Sequence, residues 1–257
     1  MEVFEKHESE VRGYIRSFPV VFDKAIGAEL FDEDGNRYID FFAGAGTLNY
    51  GHNPDAAVEA SIKYLQDRRI AHGLDKATVA KQKFIEVFVK YILEPRGYDY
   101  KMQFTGPTGT NCTEAAMKLA RQVKGRANIV AFTNGYHGHT MGALAVTGNE
   151  AYRDASYGSR GAVSFMPFDG FLGPDIDTIH VFRRYLEDHG SGMETPAAVI
   201  VETVQGEGGI NVASTEWLQK LAALCKEFDI LLIIDDIQVG NGRTGKFFSF
   251  EEAGIEP

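Results

Sequence analysis

Four short segments of this chain carry residue types able to do chemistry, and each lies at the end of a stretch that reads as a strand. The first is Thr105-Gly106-Pro107-Thr108-Gly109-Thr110-Asn111. Small residues entering a helix expose backbone N–H groups at its positive end, and threonine hydroxyls add donors, which suits a phosphate. The same composition also makes an ordinary strand-to-helix turn, and no Gly-Lys-Ser/Thr closes it as in a nucleotide phosphate loop. The second is Thr133-Asn134-Gly135-Tyr136-His137-Gly138-His139. Its glycines let backbone approach a ligand, and Tyr136 could stack on a flat heterocycle. His137 and His139 have no third ligand residue nearby, so a surface turn is a plainer reading than a metal site.

The third segment is Glu202-Thr203-Val204-Gln205-Gly206-Glu207-Gly208-Gly209, where a carboxylate and an amide precede a glycine run. They either orient a ligand or cap a turn. The fourth, Leu231-Leu232-Ile233-Ile234-Asp235-Asp236-Ile237-Gln238, puts two carboxylates at the end of an apolar strand. Side chains alternate across a strand, so at most one of the pair meets a given ligand. A buried carboxylate there holds a pyridinium nitrogen protonated or binds magnesium, and the missing lysine in the first segment weighs against magnesium. Gly240-Asn241-Gly242-Arg243-Thr244-Gly245 fits G-x-G-x-x-G. A dinucleotide site also needs a helix directly after it, and Lys246-Phe247-Phe248-Ser249-Phe250 lacks helical character.

These segments need elements to position them. Residues 20–41 read as strands around the turn at Asp34-Gly35, an N-terminal hairpin. Val58, Ile62 and Leu65, and then Ala80, Phe84, Val87, Phe88 and Tyr91, have helical spacing. From residue 100 short apolar strands alternate with helices, at 101–104, 129–132, 163–166, 198–202 and 231–235. This pattern implies an α/β fold with a mostly parallel sheet and helices on both faces. A helix carrying Ala116, Leu119, Ala120 and Val123 follows the first segment, and one carrying Trp217, Leu221, Leu224 and Phe228 starts at Ser214 or Thr215. In such sheets ligands bind beyond the carboxyl ends of the strands, where all four segments fall. No linker, repeat or composition change marks a boundary after about residue 55.

The 257 residues, 44% of them hydrophobic, suffice for a full core. Acidic residues outnumber basic ones 36 to 26, and the net charge of -10 offers no general attraction for nucleic acid or anionic membrane. No apolar run is long enough for a membrane span or a secretory leader, so the expected location is the cytoplasm. Cys112 and Cys225 form no CxxC and are expected to be buried small apolar residues, without a disulfide or zinc.

Together the segments AGAGTLNYGHN, GPTGTN, FTNGYHG, SFMPFDGF, ETVQGEGGIN and DDIQVGNGRTGKFFSFE resemble the class III aminotransferases of the type I pyridoxal-phosphate fold, from about Arg12 to Pro257. The resemblance implies an N-terminal segment with a hairpin over 1–55 and an incomplete large domain that binds pyridoxal 5'-phosphate over 56–257. It also implies roles for matching positions. Thr108, Gly109 and Thr110 hold the cofactor phosphate, Tyr136 stacks on the ring, and His137 belongs to the same pocket. Asp235 pairs with the ring nitrogen, Gln238 bonds the phenolic oxygen, and Glu202 engages a substrate-binding arginine outside this chain. The Schiff-base lysine is expected about seven residues beyond Pro257, and the C-terminal small domain is absent, so the chain alone should be inactive. No metal is implied.

The details look closest to enzymes of ectoine biosynthesis that move the amino group of L-glutamate to L-aspartate 4-semialdehyde. The products are 2-oxoglutarate and L-2,4-diaminobutyrate. Ornithine, acetylornithine and 4-aminobutyrate aminotransferases are the alternatives, followed by a non-catalytic cofactor-binding or interaction module. The implied partners are amino-acid and oxo-acid substrates and a second copy of the chain, in a homodimer or larger homo-oligomer.

Overall fold

A computed structural model of the chain describes residues 2–9, 18–153 and 161–257. Arg12, where the resemblance begins, lies outside them. By compactness the chain divides into two units, Met1–Phe88 and Val89–Pro257.

In the first unit, a short helix α1 (Glu2–His7) is followed by an antiparallel sheet of β1 (Phe22–Ile26), β2 (Glu29–Asp32) and β3 (Arg37–Ile39). The expected hairpin at Asp34-Gly35 is the β2–β3 connection, where Gly35 takes φ +83°. The turn is fixed by Asp32, whose carboxylate accepts from Asn36 Nδ2 (3.0 Å), Tyr38 Oη (2.8 Å) and the amides of Asn36 (2.8 Å) and Asp34 (3.1 Å). Those donors, Asn36 foremost, hold its carboxyl below the usual range. Helices α2 (Asp55–Gln66) and α3 (Val79–Phe88) form where the spacing places them, but neither has a buried residue.

The second unit is a four-stranded parallel sheet in the order β5-β4-β6-β9, built from β4 (Ile129–Phe132), β5 (Val163–Met166), β6 (Ala198–Val201) and β9 (Leu231–Ile234). Alternate residues of the central strands feed two cores. Val130, Phe132, Val199 and Val201 face α6 (Thr178–Glu187) and α7 (Thr215–Glu227). Ile129, Ala131, Ala198 and Ile200 face α4 (Gly109–Lys124) and α5 (Met141–Val146). This is the two-sided α/β arrangement expected, because strands buried on both faces must be apolar at every position. Each fully buried aliphatic side chain in these layers, such as Leu221, contributes about 1.5–3 kcal/mol of burial free energy. On the α7 side Trp217 packs 5.0 Å from Phe132 and 5.2 Å from Phe168, centroid to centroid, while its Nε1 donates to Thr178 Oγ1 at 2.7 Å.

Two expectations fail. Residues 101–104 are extended chain without strand pairing. A strand needs a neighbour to complete its backbone hydrogen bonds, and no strand among the described residues pairs with this segment. Phe104 is accordingly half exposed. Cys112 is exposed, whereas Cys225 is buried and its thiol is pushed up to about 12 by loss of solvent. Cys112 falls on the outer side of α4, whose buried stripe is Thr113, Met117 and Ala120. No helix among the described residues is long and apolar enough to cross a membrane.

Candidate active site

The site forms at the carboxyl ends of β4, β6 and β9, closed on one side by the start of α4. That helix begins where it does because Thr108, extended at φ −140° and ψ 151°, accepts the amide of Asn111 on its Oγ1 at 3.3 Å. It ends at Gly125, which takes the left-handed φ of +61°. Its first amides, those of Gly109 and Thr110, have no helical acceptor and lie at the positive end of the helix dipole. Gly109 lies tight against the loop after β9, since a Cβ there would fall 2.9 Å from Ile237 Cδ1.

At the end of β4 the chain turns back through Asn134 (φ +62°) and delivers Tyr136 and His137. His137 is buried, with its ring Nδ1 2.7 Å from Asp235 Oδ2 across 98 residues of sequence. Its amide donates to Thr147 Oγ1 at 3.0 Å, and Thr147 is itself fully buried. His137 is therefore held at its ring by Asp235 and at its backbone by Thr147. Asp235 uses its other oxygen to accept from the amide of Ile237 at 3.2 Å. Asp236 faces the other way and accepts the amide of Ser249 at 3.1 Å, and burial raises its pKa. The alternation read from the sequence is thus what separates the two aspartates.

The reading of residues 133–139 as a surface turn holds for His139, which is exposed, and not for His137. The rings of His139, Tyr136 and Tyr152 cluster, with centroids 4.9–5.5 Å apart. Burial is the main cause that raises the pKa of Tyr136, with Glu207, Tyr152 and Asp235 adding to it. No cluster of His, Cys, Asp and Glu among the described residues has the arrangement to hold a metal ion.

Glu202, at the end of β6, is buried and accepts the amides of Tyr136 (2.9 Å) and Gly206 (3.2 Å). Burial pushes its carboxyl up to about 7, although His137 and the two amides pull in the other direction. After it a small hairpin, β7 (Val204–Gln205) and β8 (Asn211–Val212), returns the chain. Gln238 donates its Nε2 to Glu207 Oε1 at 3.1 Å, beside Gly206, where a Cβ would fall 2.0 Å from Gln238 Oε1. The segment at residues 240–248 consists of turns and bends, and only a single 3-10 helix at Ser249–Ala253 comes after it, so no α-helix opens from the G-x-G-x-x-G match as a dinucleotide site requires.

The eight residues singled out in the sequence lie at one end of the sheet, Gly109 and Thr110 in the first turn of α4 and Thr108, Tyr136, His137, Glu202, Asp235 and Gln238 on the segments that precede it or follow β4, β6 and β9. Three supporting residues have no sequence signal of their own. Glu114 accepts the amides of Gly142 (2.8 Å) and Ala143 (3.0 Å), Thr140 joins Glu114 to Thr110, and Thr147 carries His137. The contacts just named join residues 10 to 30 apart in the chain, beyond the reach of helical or strand periodicity.

The model of the family described as aminotransferase class III matches residues 12–257. The chain belongs to the class III aminotransferases. It is 62% identical to the diaminobutyrate–2-oxoglutarate transaminase of Wolinella succinogenes over 257 residues, which is 100% of this chain and 60% of that protein. It thus spans about three-fifths of the length of such curated relatives. Among solved structures it is similar to an S-selective transaminase from Bacillus megaterium, with a TM-score of 0.85, 27% identity, and coverage of 100% of this chain and 59% of that one. It is likewise similar to the taurine:2-oxoglutarate aminotransferase of Bifidobacterium kashiwanohense, in complex with PLP and glutamate, with a TM-score of 0.84, 25% identity, and coverage of 99% and 58%. The fold expected from the sequence, the large domain of the type I pyridoxal-phosphate-dependent transferases, is the fold observed.

Proposed function

We propose that this class III aminotransferase binds pyridoxal 5'-phosphate and, as part of a longer protein, moves the amino group of L-glutamate to L-aspartate 4-semialdehyde in ectoine biosynthesis. The products are L-2,4-diaminobutyrate and 2-oxoglutarate. The observation that carries the cofactor assignment is the buried His137–Asp235 pair at 2.7 Å, set at the same end of the sheet as the start of α4. The donor set fits the group. Helix-terminal amides and threonine hydroxyls suit a phosphate, and a buried carboxylate oriented by an imidazole suits a protonated ring nitrogen. The substrate assignment is supported by the 62% identity to the Wolinella enzyme.

When bound, the cofactor supplies an electron sink for a carbanion next to the amino group. The protein's own residues bind and orient. Gly109 and Thr110 present amides to the phosphate beside Thr108. Asp235 keeps the proton on the ring nitrogen, and His137 holds Asp235 in one rotamer so that its charge stays aimed. Tyr136 covers a face of the ring, its position fixed through the amide that Glu202 accepts. Gln238 offers its amide to the ring's phenolic oxygen, for which it must exchange its contact with Glu207. Glu202, buried with no lysine or arginine paired to it among the described residues, is suited to receive an arginine that otherwise grips a substrate carboxylate.

The test is a substrate panel on the full-length protein with 2-oxoglutarate as acceptor and diaminobutyrate, ornithine, acetylornithine, 4-aminobutyrate or taurine as donor. Diaminobutyrate should be consumed at least tenfold more efficiently than the others. Preference for another amine overturns the substrate, and absence of a cofactor absorbance band with any donor overturns the cofactor.

A further inference from the structure

We propose that Glu114, acting through Thr140, fixes the hydroxyl protons around the start of α4 so that Thr108, and not Thr110, gives the hydroxyl donor to the cofactor phosphate. This rests on the reading that the phosphate sits at Thr108–Thr110. A carboxylate only accepts hydrogen bonds, and a hydroxyl has one proton to give. Glu114 Oε1 accepts from Thr140 Oγ1 at 2.5 Å, along with the amides of Gly142 and Ala143. Its seat is built for this, since a Cβ at Gly142 would fall 2.2 Å from Glu114 Oε2. The single proton of Thr140 is thereby committed.

Thr140 Oγ1 also lies 2.8 Å from Thr110 Oγ1. Having no second proton, Thr140 must be the acceptor of that bond, and Thr110 the donor. The proton of Thr110 therefore points back into the protein, while its oxygen takes the amide of Thr140 at 3.4 Å. Gly138 closes over the same hydroxyl, for a Cβ there would fall 2.4 Å from Thr110 Oγ1. What Thr110 offers a phosphate is its backbone amide. Thr108 has the opposite disposition. Its oxygen accepts the amide of Asn111 at 3.3 Å, and no acceptor among the described residues takes its proton, which is left to face an anion. Glu114 is a positioning residue in this scheme, setting the direction of a chain of three hydrogen-bonded groups.

The test uses the full-length protein stripped of cofactor and reads binding, not turnover. The ratio of the dissociation constants of pyridoxal and pyridoxal phosphate isolates what the phosphate contributes. Thr108→Val should lower that ratio tenfold or more, and Thr108→Ser should restore it. Thr110→Val should lower it less than threefold in the wild-type background, but fivefold or more once Thr140→Val has released the Thr110 proton. A tenfold loss from Thr110→Val alone, no loss from Thr108→Val, or the same Thr110 effect in both backgrounds overturns the proposal. Should Thr108→Val fail to fold for want of its helix cap, the Thr110–Thr140 cycle decides alone. Equal affinities of the wild-type protein for pyridoxal and pyridoxal phosphate would show instead that the phosphate reading itself is wrong.

Discussion

Replacing Glu202 with glutamine tests the electrostatics of the site directly. In the folded protein burial keeps the Glu202 carboxyl protonated up to about 7, whereas in the unfolded chain it ionises near its ordinary 4.5. A raised carboxyl pKa means that the folded state holds the extra proton, so stability is highest at low pH and falls as pH rises from 4.5 toward 7. Above 7 both states are ionised and the full cost is present. At 1.36 kcal/mol per pKa unit the total is about 3 kcal/mol. Most of that change, about 2–3 kcal/mol, falls between pH 5 and 8. Glutamine does not titrate, and its carbonyl can still accept the amide of Tyr136, although the amide of Gly206 loses its acceptor. That lost bond shifts the variant by about 1 kcal/mol at every pH. Urea unfolding of both proteins at pH 5 and 8 should therefore show Glu202→Gln gaining about 2–3 kcal/mol on the wild type across the interval. A difference that stays constant with pH refutes the reasoning, because it means Glu202 ionises as readily in the fold as in water. The same experiment with the full-length protein should show a smaller gain if an arginine reaches Glu202 there, since a cation lowers the carboxyl pKa.

Three more outcomes are expected. His137→Ala leaves Asp235 buried without its imidazole and should destabilise the fold by about 3–5 kcal/mol, read by urea unfolding; a loss below about 1 kcal/mol would mean that the pair is dispensable. Gly109→Ala forces a methyl against Ile237 and should cost about 1–3 kcal/mol in thermal unfolding, with Ile237→Ala recovering part of it. Native thiol titration should modify Cys112 within minutes and Cys225 only after denaturation, since Cys225 is buried with its thiol pushed up to about 12; equal rates would contradict the packing around α7.

Local chemistry made much of this fold legible. The cap at Ser214, the apolar stripe of α7, the presence of α4 and the strands β4, β5, β6 and β9 are set by residues within a few positions of one another, whereas the stripe read for α4 leaves Leu119 and Val123 exposed. The ends of the strands were legible too, and with them the neighbourhood in which a ligand must sit. Even the divergence of Asp235 and Asp236, the two residues just past the end of β9, followed the alternation read for that strand.

What only the tertiary structure decided depends on partners far away in sequence. Residues 101–104 have strand composition and no strand, because hydrogen-bonded pairing needs a neighbour that periodicity cannot supply. Cys112 is exposed because the buried stripe of α4 passes beside it, through Thr113, Met117 and Ala120. His137 was readable as a turn residue until Asp235, 98 residues later, was found 2.7 Å from its ring. Glu114 gave no signal at all in the sequence. Its role arises from Thr140, 26 residues away, and from the rule that a carboxylate has no proton to give.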